Sequence, residues 1–119
     1  MDVDSIVLVD GSGVSRNNLI SVDWMTKALN KLYKQSDFEK FRDNMAQSGD
    51  GTLSNRLFEM RGDAWLKTGS LSNVSGIIGY VKSQDGSMYS VAILLQNFID
   101  EQEKIKKFED EIIRIIYNR

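Results

Sequence analysis

The sequence predicts an α+β fold, an antiparallel three-stranded sheet with flanking helices. Three observations carry this. Strand-like stretches follow one another from Asp63 to Asn97, and the last two are joined by a hairpin turn, Gln84-Asp85-Gly86-Ser87. Apolar residues recur at helical spacing before the sheet and again after it. The hydrophobic fraction, 41% of 119 residues, is enough for one core, so residues 1–119 read as one domain or a large piece of one.

The elements follow in order. Ile6-Val7-Leu8-Val9 reads as a strand or extended segment entering the tight turn Asp10-Gly11-Ser12-Gly13. Ser21 is a good N-cap for a helix to about Tyr33, with Val22, Met25, Leu29 and Leu32 as its buried face. Ser36-Asp37-Phe38-Glu39 reads as a capping box for a shorter helix to about Met45, striped by Phe38, Phe41 and Met45. Residues 48–52 are a loop by composition, and 53–60 fit a helical turn. The three strands are Asp63–Leu71, Val74–Lys82 and Met88–Asn97. Val91-Ala92-Ile93-Leu94-Leu95 is apolar on both faces, as in a central strand. From Asp100 to Tyr117 the pattern is helical again. Ile105, Phe108, Ile112 and Ile115 share one face, with Ile116 beside them. Glu101, Glu103, Lys104, Lys107, Glu109 and Asp110 read as a solvated surface.

Composition removes whole classes of function. Fifteen Lys and Arg against 17 Asp and Glu leave a net charge of −2, which suggests neither a nucleic-acid nor a membrane-surface partner. With no His and no Cys, a Ser-His-Asp triad, a thiol nucleophile, a Cys/His zinc site and a disulfide are all excluded. No metal or cofactor is indicated; any catalysis must use Ser, Lys and carboxylates. No apolar run reaches the roughly 20 residues of a membrane span. Met1 with Asp2 and Asp4 is unlike the basic start of a signal peptide; if the parent protein is exported, its signal is expected upstream.

Two stretches can carry chemistry. The first is Lys67-Thr68-Gly69-Ser70, at the end of the first strand. Its bland reading is an edge strand with a Lys facing water and a Gly at a bend. In a catalytic reading, Lys67 supplies positive charge and Thr68 a hydroxyl for a substrate carboxylate. Gly69 lets another chain come close, and the Ser70 N–H can point at a developing oxyanion. The second is Asp10-Gly11-Ser12-Gly13-Val14-Ser15-Arg16. Its bland reading is a turn capped by Asp and Ser side chains. It fits neither a phosphate loop nor a calcium loop nor a nucleophile elbow.

Taken in order, these residues resemble the serine-type D-alanyl-D-alanine carboxypeptidases, the class C low-molecular-mass penicillin-binding proteins, also active as endopeptidases. Asp10 to Leu19 resembles the family's D-G-S-G-L-S-R-x-N-L segment, with Val14 in place of the commoner Leu. Gly49-Asp50-Gly51-Thr52-Leu53 resembles its G-x-D-G-T-L loop, one residue shorter. Lys67-Thr68-Gly69-Ser70-Leu71, then Gly76 and Gly79-Tyr80, resembles its K-T-G-S-L strand pair. The family's other two catalytic motifs are Ser-x-x-Lys, which carries the nucleophile, and Ser-x-Asn. These 119 residues contain no Ser-x-x-Lys. Ser15-Arg16-Asn17 fits Ser-x-Asn literally, but it lies inside the D-G-S-G segment and reads as a decoy.

The resemblance implies the C-terminal part of a penicillin-binding-protein/beta-lactamase-like transpeptidase domain, located in the periplasm or cell envelope. It implies a substrate, the peptidoglycan stem peptide, and a nucleophile supplied from elsewhere; alone, the chain would be inactive. The family's roles carry over to Lys67 and Thr68 for the terminal carboxylate and Ser70 for the oxyanion. Beta-lactams would acylate only the intact enzyme. Arg16, Val14, Leu71 and Ser72 would line a pocket for the third stem-peptide residue, although Arg16 could equally form a surface salt bridge. The family's last strand and terminal helix pack against N-terminal parts. Here both would be bare, which implies self-association. The competing reading is a non-catalytic peptide-binding or self-associating α+β module.

Overall fold

A computed structural model describes residues 3–119; Met1 and Asp2, cited above for their unlikeness to a signal peptide, lie outside the described residues. Three strands form one antiparallel sheet in the order β1-β2-β3: β1 (Ala64–Leu71), β2 (Val74–Lys82) and β3 (Met88–Gln96). Helix α1 (Val22–Tyr33) and the short α2 (Phe38–Arg42) cover one face. Helix α3 (Gln102–Tyr117) covers the other, together with two single-turn 3₁₀ segments at Gly51–Leu53 and Phe58–Met60.

The period-2 pattern of the strands sorts side chains between two cores. Ala64 and Leu66 of β1, Ile77 and Val81 of β2, and Val91 of β3 point toward α3. There they pack with Leu53, Leu57, Met60 and Ile113. Trp65 and Tyr80, neighbours across β1 and β2, point the other way onto Leu29 and Phe38. Phe38 packs edge-on against both Tyr33 and Tyr80, with centroids 4.8 and 4.9 Å away. The Tyr80 hydroxyl donates to the Leu29 carbonyl at 2.7 Å, tying α1 to the middle strand, and burial pushes its pKa up to about 12.

Gly79 is dictated by the β1–β2 pairing. Its φ is +151°, and a Cβ there would sit 2.1 Å from the Trp65 carbonyl oxygen. Any side chain would drive the two strands apart.

The three strands and the two longer helices lie within two residues of their expected bounds, and 53–60 contains a helical turn as anticipated. Five details differ. β3, apolar enough for a central strand, is an edge of the three-stranded sheet, and β2 is central. The segment 6–9 makes only the single bridge Val7–Leu19. Helix α1 is capped by Ser21, which accepts from the Trp24 N–H at 3.1 Å, but it buries Leu29 and leaves Val22 and Leu32 exposed. Only its middle lies over the sheet. Helix α2 starts after Asp37, which makes no side-chain cap bond, and stops at Arg42 with Phe41 exposed. The Ala46–Leu66 bridge demands extended backbone and ends the helix early.

The fifth difference is the largest. The solvated surface of α3 was expected to include Glu109 and Asp110; both are buried, Glu109 completely. Phe108 and Ile115, assigned to the buried face, are instead 50% and 71% exposed. The helix is rotated because Arg56 draws the acidic pair inward. Its guanidinium donates to both Asp110 oxygens at 2.7–3.2 Å and to Glu109 Oε2 at 3.0 Å. Glu109 Oε1 accepts from the Ser75 hydroxyl of β2 at 2.7 Å. Phe108 and Ile115 are thereby turned outward, while Ile105 and Ile112 stay half-buried.

Candidate functional site: an open strand edge and its loop

β1 is the other edge of the sheet, and its two ends differ. The Leu66 N–H donates outward to the Ala46 carbonyl at 2.8 Å. In an antiparallel strand the backbone groups of alternate residues point to the same side. The N–H and C=O groups of Thr68 and Ser70 therefore also point outward, beyond the last bridge and onto an open edge. Lys67, Gly69 and Leu71 turn theirs toward β2, opposite Ile78, Gly76 and Val74.

The side chains alternate too. Lys67 and Gly69 lie on the α1 face of the sheet. Lys67 is exposed, and its ammonium donates to the Thr68 carbonyl. A Cβ at Gly69 would meet nothing within 4 Å, so the strand is unobstructed there. Thr68 lies on the other face, where its hydroxyl bonds the Thr52 hydroxyl at 2.6 Å.

The Asp10–Asn18 loop stands beside this edge because one carboxylate organises it. Asp10 Oδ1 accepts from the Ser12 hydroxyl and the Gly13 N–H, both at 2.7 Å. Oδ2 accepts from the Ser15 N–H at 2.8 Å and the Asn18 amide at 3.0 Å. Gly13 takes a left-handed φ of +76°, which closes the turn. These bonds, the Ser12 hydroxyl first, hold the Asp10 carboxyl well below the usual carboxylate range. The Ser15 hydroxyl accepts from the Asn17 N–H at 3.1 Å, so Ser15-Arg16-Asn17 is a local turn.

Two adjoining clefts result. One, of about 370 Å³, is lined by Ser12, Gly13 and Val14 of the loop, Lys67 to Leu71 of β1, and Met25. The other, of about 830 Å³, is bordered by Arg16, Asp10, Leu71 and Asn97. Val14 thus faces the Lys67 strand across the first cleft, and Arg16 and Leu71 share the second. Ser72 lines neither. Its carbonyl instead accepts from Arg16 Nη2 at 2.5 Å, so the guanidinium clasps the β1–β2 turn and takes a backbone oxygen in place of a carboxylate. Sequence reasoning passed over Thr52 as a partner of Thr68, although the Gly-Thr of the 49–53 loop marked it. The Ser75–Glu109–Arg56 chain behind β1 left no signal, since acidic residues on a helix ordinarily face water. Among the described residues no group of three or more acidic side chains could hold a metal ion, and no helix is long and apolar enough to cross a membrane.

The Asp10 network has a pH signature. A carboxyl whose pKa is lower folded than unfolded stabilises the fold above its unfolded value, near 4, and loses that contribution as pH falls toward the folded value. Amide shifts of Gly13 and Ser15 should therefore hold constant down to about pH 4. They should move only in stronger acid, and Asp10→Asn should shift both at neutral pH. Titration of these amides between about pH 4 and 6 would contradict the network.

The profile of the D-Ala-D-Ala carboxypeptidase 3 (S13) family matches residues 1–118. A D-alanyl-D-alanine carboxypeptidase of Actinomadura sp. (strain R39) is 33% identical over 99 residues, 74% of this chain. The chain spans only 18% of that relative's length. Penicillin binding protein 4 of Haemophilus influenzae, solved in complex with a beta-lactam, superposes with a TM-score of 0.82 at 25% identity. That match covers 98% of this chain and 29% of the other. A penicillin G-acylated predatory endopeptidase of Bdellovibrio bacteriovorus shares the fold, with a TM-score of 0.72 at 23% identity, covering 98% of this chain and 35% of that one. A match over nearly every residue, on a fold shared with a penicillin-binding protein, establishes that the chain belongs to the D-Ala-D-Ala carboxypeptidase 3 (S13) family.

Proposed function

We propose that this chain forms one wall of the active site of a serine-type D-Ala-D-Ala carboxypeptidase that acts on peptidoglycan stem peptides in the cell envelope. The observation that carries this is the open edge at Thr68–Ser70, with Lys67 exposed beside it and the Asp10–Asn18 loop across the cleft. An extended peptide ending in D-Ala can pair with such an edge as an added strand.

Each residue then has a role. Lys67 and the Thr68 hydroxyl hold the terminal carboxylate. A serine from polypeptide outside these 119 residues attacks the carbonyl of the penultimate D-Ala. Its Oγ forms the ester as the peptide C–N bond breaks, and its proton goes to the leaving D-Ala amine. The outward Ser70 N–H, with a second N–H at the nucleophile, stabilises the tetrahedral oxyanion. Water then cleaves the ester, releasing the shortened peptide and restoring the serine. Val14 and Leu71 contact the stem peptide in the smaller cleft. Arg16, held by the Ser72 carbonyl, presents the rest of its guanidinium to the larger one, where a third-residue carboxylate would sit. A beta-lactam would acylate the same serine.

Fluorescent penicillin tests this reading. The 119-residue chain should take no covalent label. A polypeptide extended through its upstream reading frame to include a Ser-x-x-Lys should be labelled, and Lys67→Ala in it should slow labelling about 10²–10³-fold. Labelling of the short chain, or an extended protein indifferent to Lys67→Ala, would overturn the proposal.

The second part of the proposal concerns the opposite side. Among the described residues no strand pairs the outer edge of β3, and Phe108 and Ile115 of α3 are exposed. Without another polypeptide there, two copies should associate through this surface. Light scattering of the 119-residue chain should give a mass that rises with concentration, and a constant monomer mass would count against it.

A further inference from the structure

The β1–β2 hairpin is held from behind at the level of Ser70. Ser75, the register partner of Ser70, is 1% exposed. By the alternation established at Leu66, Ser70 and Ser75 form a pair that exchanges no backbone hydrogen bonds between β1 and β2. Nothing in the ladder fixes Ser70 directly, and its other side is open. Yet the Ser75 hydroxyl is pinned to Glu109, Glu109 to Arg56, and Arg56 to Asp110 and to the Lys106 carbonyl. Two turns earlier in α3, the Gln102 side chain donates to the Leu71 carbonyl at 2.9 Å. Helix α3 therefore grips the hairpin level with Ser70 and again one pair closer to the turn.

A packed apolar side chain at 109 would hold α3 to the sheet at least as well as a buried carboxylate. A carboxylate differs in direction. It fixes Ser75 along the strand through one short bond, and apolar contact does not. We propose that Glu109, acting through Ser75, is a positioning residue for the Ser70 backbone N–H. It holds that donor where the oxyanion forms. This rests on the carboxypeptidase reading, since only there does the orientation of the Ser70 N–H matter. Strand ends beside an open edge otherwise fray.

The test uses Ser75→Ala, which removes the pin with little change in volume, and Ser75→Thr, which keeps the hydroxyl. In the 119-residue chain, the Ser70 amide should have an order parameter near ~0.85, falling below ~0.6 in Ser75→Ala and recovering in Ser75→Thr. Trp65 and Val81, at the far end of the hairpin, should not change. In the extended protein, acylation by penicillin should slow at least tenfold in Ser75→Ala and recover in Ser75→Thr. A Ser70 amide equally ordered in all three proteins overturns the positioning role, whatever the acylation rates. A Ser70 amide that loosens as expected, in an extended protein that penicillin does not acylate, upholds the positioning and overturns the carboxypeptidase reading instead.

Discussion

The Arg56 guanidinium, buried against Glu109 and Asp110, is the contact on which the arrangement depends. Burial alone would lower the Arg56 pKa; the hydrogen bonds and attraction of Asp110 and then Glu109 outweigh it and raise it. Two carboxylates and one guanidinium share a region closed to water, so each needs the others. Removing one member leaves uncompensated buried charge, at a cost of about 3–5 kcal/mol. The triad also sets geometry. It fixes which face of α3 meets the sheet, and through Ser75 it ties that helix to β2. Through the 3₁₀ turn that carries Thr52, the same segment reaches Thr68. One ion cluster thus stands behind both Thr68 and Ser70.

The sheet makes two different edges from three strands. The β1 edge is short, is covered at Leu66 by Ala46, and opens only where Lys67 to Ser70 lie. Lys67 and the loop beside it break what would otherwise be a flat apolar rim, a common protection of exposed edges. The β3 edge has no such protection: Met88 to Gln96 contains no charge and no proline. An edge with a charge at its opening suits a small polar partner that comes and goes. An edge without charge or proline is of the kind that recruits another chain.

Much of this was legible in the sequence, for identifiable reasons. Strand periodicity, the Gly86 turn and the Ser21 cap are local signals, and the elements they mark formed where expected. The Lys67 strand and the Asp10 loop were recognisable because their residues must adopt special backbone conformations or face a cleft, which fixes residue type at each position. The orientation of α3 was not legible. Its heptad-like row of Ile and Phe outweighed two acidic residues on any hydrophobicity scale, and the guanidinium that reverses the balance lies more than 50 residues away in sequence. The edge position of β3 was hidden in its own residues, because an apolar strand looks the same whether its neighbour is present or not; only the family resemblance anticipated a bare last strand. Neither feature is local, so neither could be read from a window of sequence.

The outward direction of the Thr68 and Ser70 backbone groups is what the proposed substrate pairing and oxyanion role rest on. Amide hydrogen exchange along β1 measures it directly. Protection should alternate: the Lys67 and Gly69 amides, bonded to β2, should exchange slowly, and the Thr68 and Ser70 amides should exchange nearly as fast as in an unfolded chain. Slow exchange at Thr68 and Ser70 in the monomer would mean that this edge is already occupied, and the account would fail.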